Sequence, residues 1–211
     1  MAFIRVGSRP VAWVDTETTG LNADIQEVID VAVVFDRDVA ERFHIPHLTF
    51  PDGADYAYYS SKVKPERMDL AEPKALEING YTAEAWADAP SAASVVQVLQ
   101  VLFKDVVLAG HNVPFDKGFL ESMIQRTGSR FRFGHHLVDT TTLAYARLVP
   151  AGLEKLSLDS IRNFLGWPKA GGHAALFDAL DARRLTKLLT ADLPGVTRED
   201  WVARSGSGHI G

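Results

Sequence analysis

Five residues, Pro10-Val11-Ala12-Trp13-Val14, are apolar throughout and end without transition in Asp15-Thr16-Glu17-Thr18-Thr19-Gly20. A short apolar run with β-branched and aromatic members reads as a strand buried on both faces. Side chains at i and i+2 of a strand share a face, so Asp15 and Glu17 converge where the strand leaves the core. Two such carboxylates carry desolvation and like-charge costs, which a cation between them relieves. Alone, Asp-x-Glu is most simply a polar turn with Asp15 and Thr18 as turn or cap residues. Its meaning depends on what the rest of the chain brings to it.

The rest alternates strands and helices. Glu27 to Phe35 is a second strand, rich in β-branched residues. Residues 36–64 keep a strand-like pattern broken by Pro46, Pro51 and Gly53, as in an extended hairpin with a long connection. Short helices are expected at 72–78 and 82–86, and a longer one at 91–103 with a Pro90-Ser91 start signal. A buried strand follows at 106–110, a helix opened by Pro114 to about Gln125, and helices from 138, at 156–165 and at 174–189. Strands first and βα alternation after imply an α/β domain with a central mixed β-sheet flanked by α-helices. The domain is expected over 1–190, with 191–211 as a C-terminal tail. With 46% hydrophobic and 23% charged residues among 211, the chain can bury a core, which rules out disorder as its main state.

Zero cysteines exclude a disulfide scaffold, a thiol nucleophile and a Cys-ligated zinc. No apolar run approaches the ~20 residues of a membrane span, and Met1 to Gly7 carries no signal-peptide core, so a cytoplasmic protein without membrane attachment is expected. The net charge of −5 argues against wrapping duplex DNA by bulk electrostatics. That objection weakens if several acids hold divalent cations.

Two downstream blocks match the acid pair. In Gly110-His111-Asn112-Val113-Pro114-Phe115-Asp116 a second buried strand ends, Asn112 is placed to cap a helix, and Asp116 lies in its first turn. The helix dipole alone favours an acid there. In Gly171-Gly172-His173-Ala174-Ala175-Leu176-Phe177-Asp178, positions five apart on a helix lie ~140° from one another. His173 is therefore expected on the lead-in, able to swing over a site to which Asp178 is fixed.

With these blocks the chain resembles the DEDDh 3′–5′ exonucleases, the DnaQ-like family typified by the proofreading epsilon subunit of bacterial DNA polymerase III. The resemblance is carried by Asp15-Thr16-Glu17-Thr18-Thr19-Gly20-Leu21, Asn112 to Asp116, and His173 to Ala179. Ile78-Asn79-Gly80-Tyr81-Thr82, Asp88-Ala89-Pro90-Ser91 and Lys155-Leu156-Ser157-Leu158 support it. Asn79 and Tyr81 depart from the family's usual His and Ile, away from the metal positions. The resemblance implies an RNase H-like fold in which Asp15, Glu17, Asp116 and Asp178 bind two ions, with His173 as general base. Oxygen ligands select Mg²⁺ or Mn²⁺, and an imidazole with a reference pKa of about 6.5 suits the base. Glu17, Thr18, Leu21 and Phe115 are implied at the terminal nucleotide. The expected reaction is hydrolysis at the 3′ end of single-stranded DNA to nucleoside 5′-monophosphates, in proofreading with a polymerase in trans. An RNA 3′-end trimmer, or a non-catalytic module binding single strands or a polymerase, is the alternative.

Other charged residues receive structural readings. Asp139 reads as a helix N-cap, His111 as structural, and Asp181 as a solvated face or a neighbour of Asp178. Asp30 faces the site edge or an arginine. Arg126, Arg130 and Arg132 with Phe131 and Phe133 read as a basic turn entering an edge strand, or as a phosphate grip. Trp201 is a partner anchor or a docked terminus.

Overall fold

The computed structural model describes residues 5–6, 9–168, 174–191 and 197–206. The first apolar run lies in β2 (Arg9–Thr18), preceded by the two-residue β1 (Arg5–Val6), which pairs with its start. β2 pairs antiparallel with β3 (Val28–Asp36), and β3 with β4 (Tyr56–Lys62). On the other side β5 (Val107–Gly110) runs parallel to β2, and β6 (Leu137–Asp139) parallel to β5. The order is β4-β3-β2-β5-β6, the mixed sheet that the strand-then-βα order implies.

Helices cover both faces. α3 (Ala92–Leu102) and α4 (Val113–Arg126) pack on the face formed by Ala12, Val14, Val31, Val33 and Phe35. Ser91 caps α3, accepting from the Ser94 N–H, as its start signal implies. The opposite face, Val11, Trp13, Ala32 and Val34, meets α7 (Ala175–Thr190) through Ala175, Ala179 and Ala182. Alanines let this helix lie close to the strands. The close approach continues at Trp13, whose Nε1–H donates to Thr186 Oγ1 at 3.0 Å. α7 turns its leucines, Leu185, Leu188 and Leu189, to a second core with α5 (Thr140–Leu148) and α6 (Leu158–Leu165).

Three elements differ from the sequence reading. Within 36–64, the stretch after β3 is helical, α1 (Arg37–Arg42), because Val39 and Ala40 turn into the core on one side while Arg37 and Glu41 pair at 3.0 Å on the other. Residues 82–86 form turns, not a helix, around Trp86, whose buried indole donates to the Ile29 carbonyl at 2.7 Å. Within 191–211, α8 (Arg198–Gly206) buries Trp201 to 1% exposure against Trp167 and the leucines of the second core. Trp201 is thus docked. Truncating so buried an aromatic to alanine typically costs about 3–5 kcal/mol. α2 (Pro73–Ile78) forms where the short helix at 72–78 is expected. Among the described residues no helix is long and apolar enough to cross a membrane.

Candidate metal centre and active site

β2 extends past β5, so its last turn of strand lies open beside the carboxyl end of a parallel neighbour, where ligands of open α/β sheets bind. Gly110 ends β5 in close contact: a Cβ there would lie 2.7 Å from the Val14 carbonyl oxygen. Asp15 and Glu17 follow Trp13 on the face that α7 covers, opposite Ala32 and Asp30 of β3. α7 begins there, with Asp178 in its first turn. Carboxylate oxygens of Asp15, Glu17 and Asp178 all lie within 4.8 Å of one another. Residues 163 positions apart in sequence meet because the alanine face of α7 seats it on β2.

Asp116 arrives from the other side. It is 3% exposed in the first turn of α4, and its Oδ1 accepts from the Thr16 N–H at 2.9 Å and the Thr16 hydroxyl at 2.8 Å. Thr16, on the opposite face of β2 from Asp15, therefore ties this acid to the strand carrying the other two. Asn112 does not cap α4 with its side chain. It adopts a left-handed conformation (φ 61°), which asparagine tolerates, and its N–H donates to Asp139 Oδ1 and Thr141 Oγ1.

The electrostatics of this corner are unbalanced. Burial, then repulsion from Asp116, Asp178, Glu17 and Asp30, holds the Asp15 carboxyl well above the usual range. Burial, followed by Asp178 and Asp30, raises Glu17 to about 7. Burial also raises Asp116 to about 7 against the opposing Thr16 bonds. Asp30 rises to about 6 by burial, opposed by a backbone hydrogen bond and Lys62, and its buried Oδ1 lacks a hydrogen-bond partner among the described residues. Burial and mutual repulsion therefore both disfavour the charged forms of these acids. Oxygen donors alone fit a hard divalent ion.

A buried arginine that sequence reasoning passed over completes the corner. Arg162, 3% exposed on α6, donates from Nη2 to Asp178 Oδ1 at 2.5 Å, from Nε to Asp181 Oδ2 at 2.7 Å and from Nη1 to Asp159 Oδ1 at 3.0 Å. Burial works to lower its pKa, but the bonds to Asp178 and Asp181 outweigh it and raise it. Its signal was present: Arg162 interrupts the buried stripe Leu158, Ile161, Phe164, Leu165. Asp181 is thereby a partner of Arg162 and not a solvated residue.

The remaining positions divide. Leu21 is 78% exposed, free to meet a ligand. Thr18 is buried and donates its hydroxyl to the Gly20 carbonyl at 2.6 Å, shaping the turn beside the acids. Phe115 is half-buried, its ring 4.8 Å from that of Phe119. His173 lies outside the described residues. Asp139 caps α5, accepting from the Thr141 N–H, and His111 bridges Thr140 and the Leu156 carbonyl, both structural as read. Arg126 donates to the carbonyls of Gln26 and Ala23 and staples the loop after β2.

The exonuclease family model, of the RNase T type, matches residues 12–186. Among curated proteins, the chain is 29% identical to the DNA polymerase III subunit epsilon of Treponema pallidum, over 78% of this chain and 69% of that protein. It is 30% identical to the same subunit of Pasteurella multocida, over 78% of this chain and 62% of that one. The PolC-type DNA polymerase III of Thermotoga maritima matches at 28% over 82% of this chain and 11% of its own length. Among solved structures, E. coli exonuclease I in complex with a dT13 oligonucleotide superposes with a TM-score of 0.68 at 18% identity, covering 87% of this chain and 41% of that one. The chain thus spans about two thirds of the epsilon subunits and under half of exonuclease I, with which it shares the RNase H-like fold.

Proposed function

The chain belongs to the exonuclease family as a 3′–5′ exonuclease, and from that premise we propose that it hydrolyses the terminal phosphodiester bond at the 3′ end of single-stranded DNA, releasing nucleoside 5′-monophosphates. The observation that carries this reading is the convergence of Asp15, Glu17 and Asp178, with Asp116 bound behind them through Thr16. Asp15, Glu17, Asp116 and Asp178 would hold the Mg²⁺ or Mn²⁺ ions, and those ions, when bound, supply the positive charge that an in-line phosphoryl displacement needs. The chain's own part is positional. Asp15 and Glu17 present their oxygens from a rigid strand, and α7 fixes Asp178 opposite them. Leu21, exposed beside this edge, offers apolar surface to the terminal base, and Phe115 borders it.

His173 takes the proton of the attacking water as general base. The water oxygen bonds to phosphorus, the bond from phosphorus to the 3′ oxygen of the preceding nucleotide breaks, and that oxygen leaves and takes a proton from solvent to become the new 3′-hydroxyl. Support for a DNA substrate comes from the relatives, named as polymerase III subunits, and from exonuclease I solved with a dT13 strand. On the same basis we infer a proofreading role in the cytoplasm, beside a polymerase acting in trans.

The test is a ladder experiment with 5′-labelled single-stranded DNA and RNA of one sequence, in Mg²⁺, Mn²⁺ or EDTA, with Asp15→Ala and His173→Ala in parallel. Metal-dependent shortening of DNA from the 3′ end, absent in Asp15→Ala, is expected. Faster loss of RNA assigns an RNA trimmer instead, and tight binding with no ladder assigns a binding module. His173→Ala retains metal binding and loses most turnover; full turnover removes His173 from the mechanism.

A further inference from the structure

Arg162 is a permanent cation inside an acidic corner. It is 3% exposed, and it holds Asp159, Asp178 and Asp181 at once. Of these three acids only Asp178 also belongs to the cluster with Asp15 and Glu17. One carboxylate is therefore shared between a fixed guanidinium and the place where a divalent ion would sit.

A guanidinium does not give up its proton in a protein, so the charge cannot be discharged to make room for an ion. Nor does Arg162 depend on Asp178 to stay where it is. The Nε bond to Asp181, whose side chain is 18% exposed, and the Nη1 bond to Asp159 hold it as well. An arriving divalent ion thus meets a positive charge already bonded to one of its ligands. Like charges at this range in a partly buried site repel by an amount comparable to a tenfold change in affinity or more. The same bond restrains the Asp178 side chain, as partners of metal ligands commonly do.

We propose that Arg162 is a positioning residue that acts as a built-in counter-cation, holding Asp178 in place while weakening the acid cluster's grip on a divalent ion. The effect is to keep the ion exchangeable, in a corner whose acids otherwise repel one another. The inference rests on Asp178 being a metal ligand.

Direct titration of the full chain with Mn²⁺ and no nucleic acid, read by calorimetry or by the resonance of free Mn²⁺, tests it. Arg162→Met removes the charge and keeps most of the volume, and is expected to bind Mn²⁺ roughly tenfold more tightly. Arg162→Lys keeps the charge and stays within about twofold of wild type. Asp181→Asn removes an anion and leaves Arg162 more fully to Asp178, so Mn²⁺ binding weakens, by about threefold. A merely structural role for Arg162 loosens the α6–α7 contact in Arg162→Met and Asp181→Asn alike and moves both affinities the same way. Opposite signs therefore separate charge from packing. Wild-type or weaker affinity in Arg162→Met overturns the proposal. If that variant does not fold, unchanged or tighter binding in Asp181→Asn overturns it. A wild-type chain that takes up no Mn²⁺ sinks the metal assignment itself, a result distinct from wild-type uptake that the variants leave unmoved.

Discussion

Helix α7 meets buried acids at two places along its length, and the two encounters are built on opposite principles. At its start, Asp178 joins Asp15 and Glu17, with Asp116 and Asp30 close enough to add to the repulsion. Further along, Arg183 donates from Nε to Asp36 at 2.8 Å and from Nη1 and Nη2 to Asp55 at 3.0 and 2.7 Å, and Lys187 reaches both acids at 3.0 Å. Two cations there answer two anions. Burial alone would lower the Arg183 pKa, but bonds to Asp55 and Asp36 raise it; burial would raise Asp55, but Arg183 and Lys187 hold it below its ordinary value. Both regions bury charge, so burial does not distinguish them. What distinguishes them is balance: one network answers its anions with cations of the chain itself, and in the other the acids crowd one another, as the proposed metal site requires.

The sharpest way to break this contrast is Asp15→Asn. A neutral amide of the same shape removes one member of the repelling cluster, so the protein in EDTA gains stability, by about 1 kcal/mol or more. The same change removes one of the proposed metal ligands, and exonuclease turnover is expected to fall on the order of 10³-fold, the worth of several kcal/mol of charge stabilisation. Thermal unfolding in EDTA and single-strand degradation in Mg²⁺ measure the two effects. A stability loss without metal would mean that the acidic corner is not strained as described.

The contrast also has a pH signature. Glu17 and Asp116 titrate near 7 in the folded chain and near the ordinary carboxylate range when unfolded. Between about pH 4.5 and 7 the native state therefore binds more protons than the unfolded one, and stability in EDTA falls as pH rises. Each pKa unit is about 1.4 kcal/mol, so the drop amounts to a few kcal/mol in order of magnitude. Saturating Mn²⁺ takes the place of those protons and flattens the slope. Asp55 contributes with the opposite sign: its folded pKa is depressed, so its stabilisation is complete at neutral pH and is lost only as pH falls into the acid range. Melting temperatures from about pH 2.5 to 7.5, with EDTA and with Mn²⁺, separate the two regions; a flat EDTA profile between about pH 4.5 and 7 would refute the account of the acidic corner.

The two regions were not equally legible in the sequence. The acids of the site announce themselves locally, because Asp15 and Glu17 break an apolar strand and Asp116 follows a strand end and a helix-start proline. Ser91 and Asp139 announced their helices in the same way, as caps. The matched network gives no such sign. Arg183 and Lys187 lie on a helix whose pattern is compatible with solvent, and Asp55 lies in a connection. Their pairing exists only because β3 and α7 come together 147 residues apart in sequence. Arg162 was hidden likewise: its two partners on α7 lie 16 and 19 residues away, and only Asp159 is its neighbour on the same helix. Helix α1 was missed because six residues with one salt-bridged edge carry too little periodicity to stand against the strand-like residues around them.

At the matched end the expected effects are on folding and not on chemistry. Asp36→Asn leaves Arg183 and Lys187 short of a charge in a place where the Asp36 side chain is 6% exposed. Breaking a buried pair from one side costs about 3 kcal/mol or more, with degradation per folded molecule unchanged. Chemical denaturation and activity assays on the same samples check both halves, and lost turnover with intact stability would join this network to the site.

Lys187→Met is the mildest cut and the most informative about redundancy. Lys187 touches the same two carboxylates that Arg183 already holds, and its side chain is 18% exposed, so water can replace part of what it gives. Its methylene stem packs similarly in methionine. With Arg183 in place, Asp36 and Asp55 both keep a charged donor, and the expected loss is about 1 kcal/mol, well below that of Asp36→Asn. The comparison is made by denaturant titration of the two single variants and the double variant. If the network works as one balanced unit, the double variant is less destabilised than the two losses added together, because a lysine that has lost Asp36 and keeps only Asp55 has less left to stabilise. Strict additivity would mean that Lys187 acts on α7 alone, and that the balance at this end belongs to Arg183.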